Sequence, residues 1–244
     1  MGNVLTIAGR ELRGYFGTPI AYVFLVIFII MSGVMTFNLG NFFARGSADL
    51  TSFFVHVPWL LVVFIPAISM RLWAEERKSG TVELLMTLPV SAGEAVIGKW
   101  LASVGFIGVA FIATFVLWFT VNFLGDPDNS VIAVSYLASL GMAAMLLAVG
   151  SCISAFTKNQ VIAFVLAVAL SFIIVTSGTP IVLDAVGAVA PQPVVDMVAA
   201  LSALTHFTGA TQGFVALSSI VYVVTMIVFW LFATIVVLSI KKAD

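Results

Sequence analysis

Apolar runs of bilayer-spanning length dominate this chain, and they fix its solvent before anything else about it. Six stretches stand out: Ile20 to Phe37, Val55 to Met70, Leu101 to Asn122, Val131 to Phe156, Gln160 to Ser177 and Phe214 to Ile240. Each is close to the ~20 residues that cross the hydrocarbon core as a helix. Only 9% of residues are charged and 62% are hydrophobic, with a mean hydropathy of +1.21. A soluble domain carries about 25% charge, so this chain has too little to cover a water-facing surface. The expected fold is an all-α integral membrane protein with six transmembrane helices.

Charge placement orients those helices. With six crossings, one side holds Arg10, Arg13, Arg71, Arg77, Lys78, Lys99, Lys158, Lys241 and Lys242, and the other holds Arg45 alone. Basic residues mark the cytoplasmic side, so both ends are expected there. The bias also supports an even number of crossings, because removing one would invert everything after it. The acidic residues divide about evenly. The charges fall outside the middle of the expected spans, which argues against ion-coupled transport by carboxylates at membrane depth.

The opening stretch mixes apolar residues with Arg10, Glu11 and Arg13, and these charges argue against a cleavable signal peptide. Apolar positions 5, 8, 12, 15 and 16 fall near one face of a helix, so residues 4–16 read as a helix lying in the interface plane. A solvated leader is the alternative. Pro19 then suits the first turn of the next helix, and Pro58 and Pro66 are candidate kinks in the second crossing. The third run ends at the turn of Gly125, Asp126, Pro127 and Asp128.

Residues 178–213 are different in kind, with Pro180, Asp184, Pro191, Gln192, Pro193, Asp196, His206 and Gln212 among short apolar pieces. They read as short helices dipping from the outer face.

Little in the sequence points to catalysis. Cys152 is the sole cysteine, and His56 and His206 are the only histidines, so no metal cluster is expected. A glycine-rich loop of the Walker type is absent, so energised work needs a partner or an ion gradient. Gly105 and Gly108, with Gly141, Ala144, Ala148 and Ser151, form small-residue stripes that suit either a dimer contact or packing within the chain.

The segment of residues 71–100, RLWAEERKSGTVELLMTLPVSAGEAVIGKW, concentrates Glu75, Glu76, Arg77, Lys78, Glu83, Glu94 and Lys99. Thr81 to Met86 reads as a short helix projecting Leu84 and Leu85, with Leu88 next, stopped before Pro89. Ser91 and Glu94 have the spacing of a capping box for the helix that follows. Two readings are open: apolar knobs that seat on a cytoplasmic partner, or an ordinary charged loop that anchors two helices.

This segment resembles the loop after the second helix in ABC-2 type permeases, the export-type ABC transporter subunits whose ATPase is a separate chain. Glu75, Glu76, Arg77, Gly80, Thr81, Glu83, Leu84, Leu85, Leu88, Pro89, Val90 and Ser91 match the family's pattern. The run LSALTHFTGATQGFVALSSIVYV resembles the gliding-motility GldF-like branch through Ser202, His206, Phe207, Gly213 and Tyr222. The chain departs from that branch around Thr205 and Gln212, where an arginine is usual before the glycine, so a shared substrate does not follow.

The resemblance implies a type V exporter-like permease fold over residues 1–244. It makes residues 4–16 an amphipathic connecting helix, residues 74–98 the ATPase-coupling loop, and residues 178–213 outer helices shaping a gate with His206, Phe207 and Gln212. It implies a non-catalytic subunit of a bacterial inner membrane complex. ATP and Mg would be bound by a cytoplasmic ABC ATPase. A second permease chain, an extracytoplasmic accessory subunit and membrane lipid would be the other partners, and no nucleic acid. A membrane scaffold without transport is the strongest alternative, ahead of a secondary carrier. For His206 itself, a local hydrogen bond holding a short helix is the alternative to a gate role.

Overall fold

The computed structural model describes residues 2–81 and 90–240, and the secondary structure over them is helical. The first helix, α1 (Gly2–Phe16), runs two residues earlier than its apolar pattern requires. Its buried face is set by Ile7 and Ala8, with Leu12, Tyr15 and Phe16 packed beside the core. Leu5, expected on that face, is 65% exposed instead. The reason is the close crossing with α6 (Ala92–Ala113). A Cβ on Gly98 would lie 2.8 Å from the Ile7 side chain, so Ile7 takes the contact and turns Leu5 away.

The expected runs form helices. The first crossing is α2 (Pro19–Val34), with Pro19 in its first turn, extended by a π-helical turn over Met35–Leu39. A short α3 (Thr51–Phe54) leads to α4 (Val57–Ser69) and α5 (Arg71–Ser79), which together make an apolar rod of 23 residues. Gly80 ends α5 at φ 73°, a left-handed conformation that glycine adopts without a Cβ clash. The short helix expected over Thr81 to Met86 lies, beyond Thr81, outside the described residues.

Helix α6 begins at the expected cap. The Glu94 amide donates to Ser91 Oγ at 3.2 Å, and the Ser91 amide donates to Glu94 Oε2 at 2.9 Å. Replacing Ser91 with alanine removes half of this reciprocal pair and is expected to cost about 1 kcal/mol in a thermal melt of the purified chain. After a break at Thr114, α7 (Phe115–Leu124) continues the rod to 33 residues. That is about 50 Å of helix against a ~30 Å core, so the rod extends well beyond the hydrocarbon. Asn122 and Asn129 exchange two amide hydrogen bonds, each of 3.0 Å, and so join α7 to α8 (Asn129–Phe156).

Helix α8 is the axis of the bundle. It packs against α4, α5, α6, α9 (Gln160–Thr176) and two later helices, α12 (Ala203–Thr211) and α13 (Leu217–Ile240). Its apolar window is 61% buried where that of α13 is only 17% buried, so α8 is core and α13 presents most of its surface outward. Of the small-residue stripe, Ala144, Ala148 and Ser151 are buried within this chain, and Gly105 faces Leu12 of α1. Packing inside the chain accounts for these positions.

The remaining segment is broken. Helix α9 bends by 82° into α10 (Pro180–Gly187), and α11 (Gln192–Ala200) bends by 60° into α12. Among the described residues, five helices are long and apolar enough to cross a bilayer, or up to seven if each bent pair is one span. Both ends of α12 meet the same end of the bundle. Ser202, its cap, donates to the Val175 carbonyl at the end of α9 at 3.1 Å. Thr211, its last residue, shares a small cleft with Asp49 and Asp128.

Candidate functional site

At the end of the bundle that carries α1, three charged side chains from three helices meet. The Lys99 ammonium on α6 lies 2.7 Å from Glu76 Oε1 on α5 and 3.4 Å from Glu11 Oε2 on α1. Lys99 is only 4% exposed, against 24% for each glutamate. An ammonium so withdrawn from water is tolerable only with its countercharges in place. The Trp73 ring adds a face to the site, its centroid 5.3 Å from the ammonium.

Small hydroxyls hold the surroundings. The Trp73 indole donates to Ser151 Oγ at 3.0 Å, and Ser154 Oγ accepts from the backbone amides of Trp73 and Ala74 while donating to the Met70 carbonyl. Arg77 donates to the Ala155 carbonyl at 2.6 Å. These contacts fix α5 on α8 through residues whose size and polarity α8 supplies in its last two turns.

Helix α1 is attached at three heights along α6. Asn3 donates to Glu94 Oε1 at 3.2 Å, Glu11 meets Lys99, and the Tyr15 hydroxyl pairs with Ser103 Oγ at 3.0 Å. Burial pushes the Tyr15 hydroxyl up to about 12, with the Ser103 hydrogen bond opposing and Glu11 adding to the rise. Tyr15 is therefore a neutral partner and leaves the charge balance to Lys99 and the two glutamates.

The residues expected to couple to an ATPase thus divide. Glu76 and Arg77 turn inward to partners in this chain, while Glu75 is exposed and pairs with Arg71 at 3.1 Å. Gly80 and Thr81 close α5, and the Thr81 hydroxyl donates to the Glu76 carbonyl at 3.3 Å. Glu83, Leu84, Leu85 and Leu88 lie outside the described residues. The sequence counts Lys99 among the charges of the loop segment but leaves it outside the residues expected to couple, and it does not connect Glu11 with them. A signal was there, since Lys99 is followed by more than twenty residues without a charge.

The expected gate residues lie at the opposite end. His206 stacks on Tyr222 with ring centroids 4.3 Å apart, and its Nε2 and Nδ1 lie 3.1 Å from the Ala200 carbonyl and Ser219 Oγ. A carbonyl only accepts, so Nε2–H donates to Ala200, and in the neutral ring Nδ1 accepts from Ser219. The ring therefore ties the end of α11 to the start of α13. His206 and Phe207 line an apolar groove of about 320 Å³ between α8, α12 and α13, to which Ser219 adds a hydroxyl. Gln212 is exposed and outside the groove.

Among the described residues, no group of three or more His, Cys, Asp or Glu side chains is placed to hold a metal ion. Comparison with curated proteins finds no match. The family comparison fits the multi-pass helical fold: the model of the ABC-2 family transporter protein matches residues 5–240. With nearly its whole length matched, the chain belongs to the ABC-2 family of transporter permeases.

Proposed function

We propose that this chain is the transmembrane subunit of an ATP-binding cassette complex in a bacterial inner membrane. In this reading it passes the ATP-driven motion of a separate ATPase to export, or to an extracytoplasmic partner. ABC-2 permeases generally work with a cytoplasmic ATPase and often a second permease chain, and they are typically non-catalytic. The observation that carries the reading is the convergence of the loop helix α5, the surface helix α1 and the basic residues at one end of the bundle. A docking partner that pushes there acts on α6 and α8 together, and rigid helices carry the displacement to the other end.

Six crossings with both termini cytoplasmic fit this reading. Support comes from α12, whose two ends meet the same end of the bundle, and from the basic bias. The groove between α8, α12 and α13 is lined almost wholly by apolar side chains. That lining favours lipid-like cargo or mechanical coupling over a small charged solute. The GldF-like likeness of Ser202, His206, Phe207 and Gly213 points the same way, toward a complex with an extracytoplasmic accessory subunit.

Affinity purification of the tagged chain in mild detergent, followed by mass spectrometry, tests the reading. A co-purifying cytoplasmic P-loop ATPase is the expected result. Recovery of the intact chain without one, under conditions that preserve a control ABC complex, would overturn it. Replacing both Leu84 and Leu85 with aspartate is expected to weaken that co-purification while leaving the yield of the permease unchanged.

A further inference from the structure

Helices α1 and α5 have little direct contact. Helix α1 rests on α6 and α2, whereas α5 rests on α8, α9 and α4. Among the side-chain contacts of the described residues, what joins α1 to α5 is Lys99, which reaches a carboxylate on each. A methionine of similar length would fill the same space beside Trp73 without the cost of burying charge. The three charges therefore do something that packing does not.

The two arms are unequal. Glu76 Oε1 is held at 2.7 Å, but Glu11 Oε2 stands at 3.4 Å, and Glu11 Oε1 is also bound by Arg10 at 2.9 Å. Arg10 is a surface side chain, so Glu11 keeps a solvated partner when it leaves Lys99. Glu76 has no such exchange partner among its described contacts, and its second oxygen, Oε2, is buried without a hydrogen bond.

We propose that Lys99 is a positioning residue that clamps α1 to α5 into one docking unit, with Glu11 as the releasable arm and Glu76 as the fixed one. The role in docking rests on the ATPase-coupled reading above; the clamp itself is a property of this chain alone. With Glu11 on Lys99, a load on α5 moves α1 as well. With Glu11 on Arg10 alone, α1 moves separately.

The full-length chain in lipid nanodiscs tests this by electron spin distance measurement. Cys152 is the sole cysteine, so Cys152→Ala gives a clean background. Labels at Gly9→Cys and Lys78→Cys, both exposed, report the distance between α1 and α5. Labels at Lys78→Cys and Lys158→Cys report α5 against the bundle. In the parent chain the α1–α5 distribution is expected to be single and narrow. Glu11→Gln is expected to widen it about twofold as a second arrangement of α1 becomes populated, with the Lys78–Lys158 distribution unchanged. Lys99→Met should widen it at least as much, and Lys99→Arg should restore the narrow form.

An unchanged α1–α5 width in Glu11→Gln would overturn the clamp. So would equal widening of both label pairs, which marks general loosening. This measurement needs no ATPase, so failure of the clamp is separable from failure to capture an ATPase, which tests the function instead.

Discussion

Trp73→Ala is expected to cost the folded chain about 3–5 kcal/mol and to abolish most of its yield as a stable, monodisperse protein in detergent. The side chain is fully buried and heads the cluster of Leu72, Ala95, Val96, Ala148, Ala155, Leu231, Val237 and Leu238. Truncation empties a site bounded by four helices, two of which, α6 and α8, are bundle rods that cannot collapse inward without moving their other contacts. It also strips the indole donor from Ser151 Oγ and the ring face from Lys99. Trp73→Phe separates these effects, because it keeps an aromatic face and loses the N–H. The smaller ring is expected to give up about 1–2 kcal/mol, the scale of one buried hydrogen bond and a partial void. Thermal melts followed by intrinsic fluorescence or size exclusion read both variants. A Trp73→Ala chain melting with the parent would mean that α5 is not seated on α8 as described.

Much of this fold was legible because its signals are local. Long apolar runs, the cap at Ser91 and Glu94, Pro19 in a first turn and the broken character of residues 178–213 all follow from short-range patterns. The face of α1 was less legible. Positions 8, 12, 15 and 16 pack as their periodicity indicates, but Ile7 replaced Leu5 because Gly98, a residue of another helix, opens a slot opposite Ile7. The number of crossings is harder still. Helix α9 has 17 residues and bends by 82° at its end, so whether the bent pair spans depends on where the bilayer sits.

The candidate site was legible only in part, for the same reason. The loop announces itself by its density of charge, but which of those charges face inward depends on how α5 rotates against α8. Ser151 and Ser154 set that rotation from a helix far along the chain. Once Trp73 points at Ser151, Glu76 follows toward Lys99 and Glu75 is left in the open. Glu11 enters from the opposite direction, on a helix that sequence reading treated as a surface element. The candidate site is therefore a tertiary product of three ordinary local structures.

Gly150→Leu is expected to be the most damaging single change on α8 and to leave no folded protein. Gly150 faces Ser69 at the end of α4, and a Cβ there would lie 2.6 Å from Ser69 Cβ and collide with its hydroxyl. Ser69 is completely buried, so its side chain has nowhere to rotate, and α4 would have to part from α8. Gly150→Ala is the graded form, expected to cost about 1–3 kcal/mol by overpacking. The collision has a matched remedy. Ser69→Gly removes the opposing Cβ and hydroxyl, so Gly150→Ala with Ser69→Gly should be more stable than the sum of the two single changes predicts. A favourable coupling of about 1–3 kcal/mol in that double-mutant cycle is the expected outcome. Additivity would mean that α4 and α8 approach elsewhere. Because α4 runs through Met70 into α5, and the Met70 carbonyl accepts from Ser154 of α8, the same contact keeps the loop helix in line with the bundle. Gly150→Ala should therefore also widen the distance distribution between the labels at Lys78→Cys and Lys158→Cys, tying the packing of the membrane core to the position of the proposed docking unit.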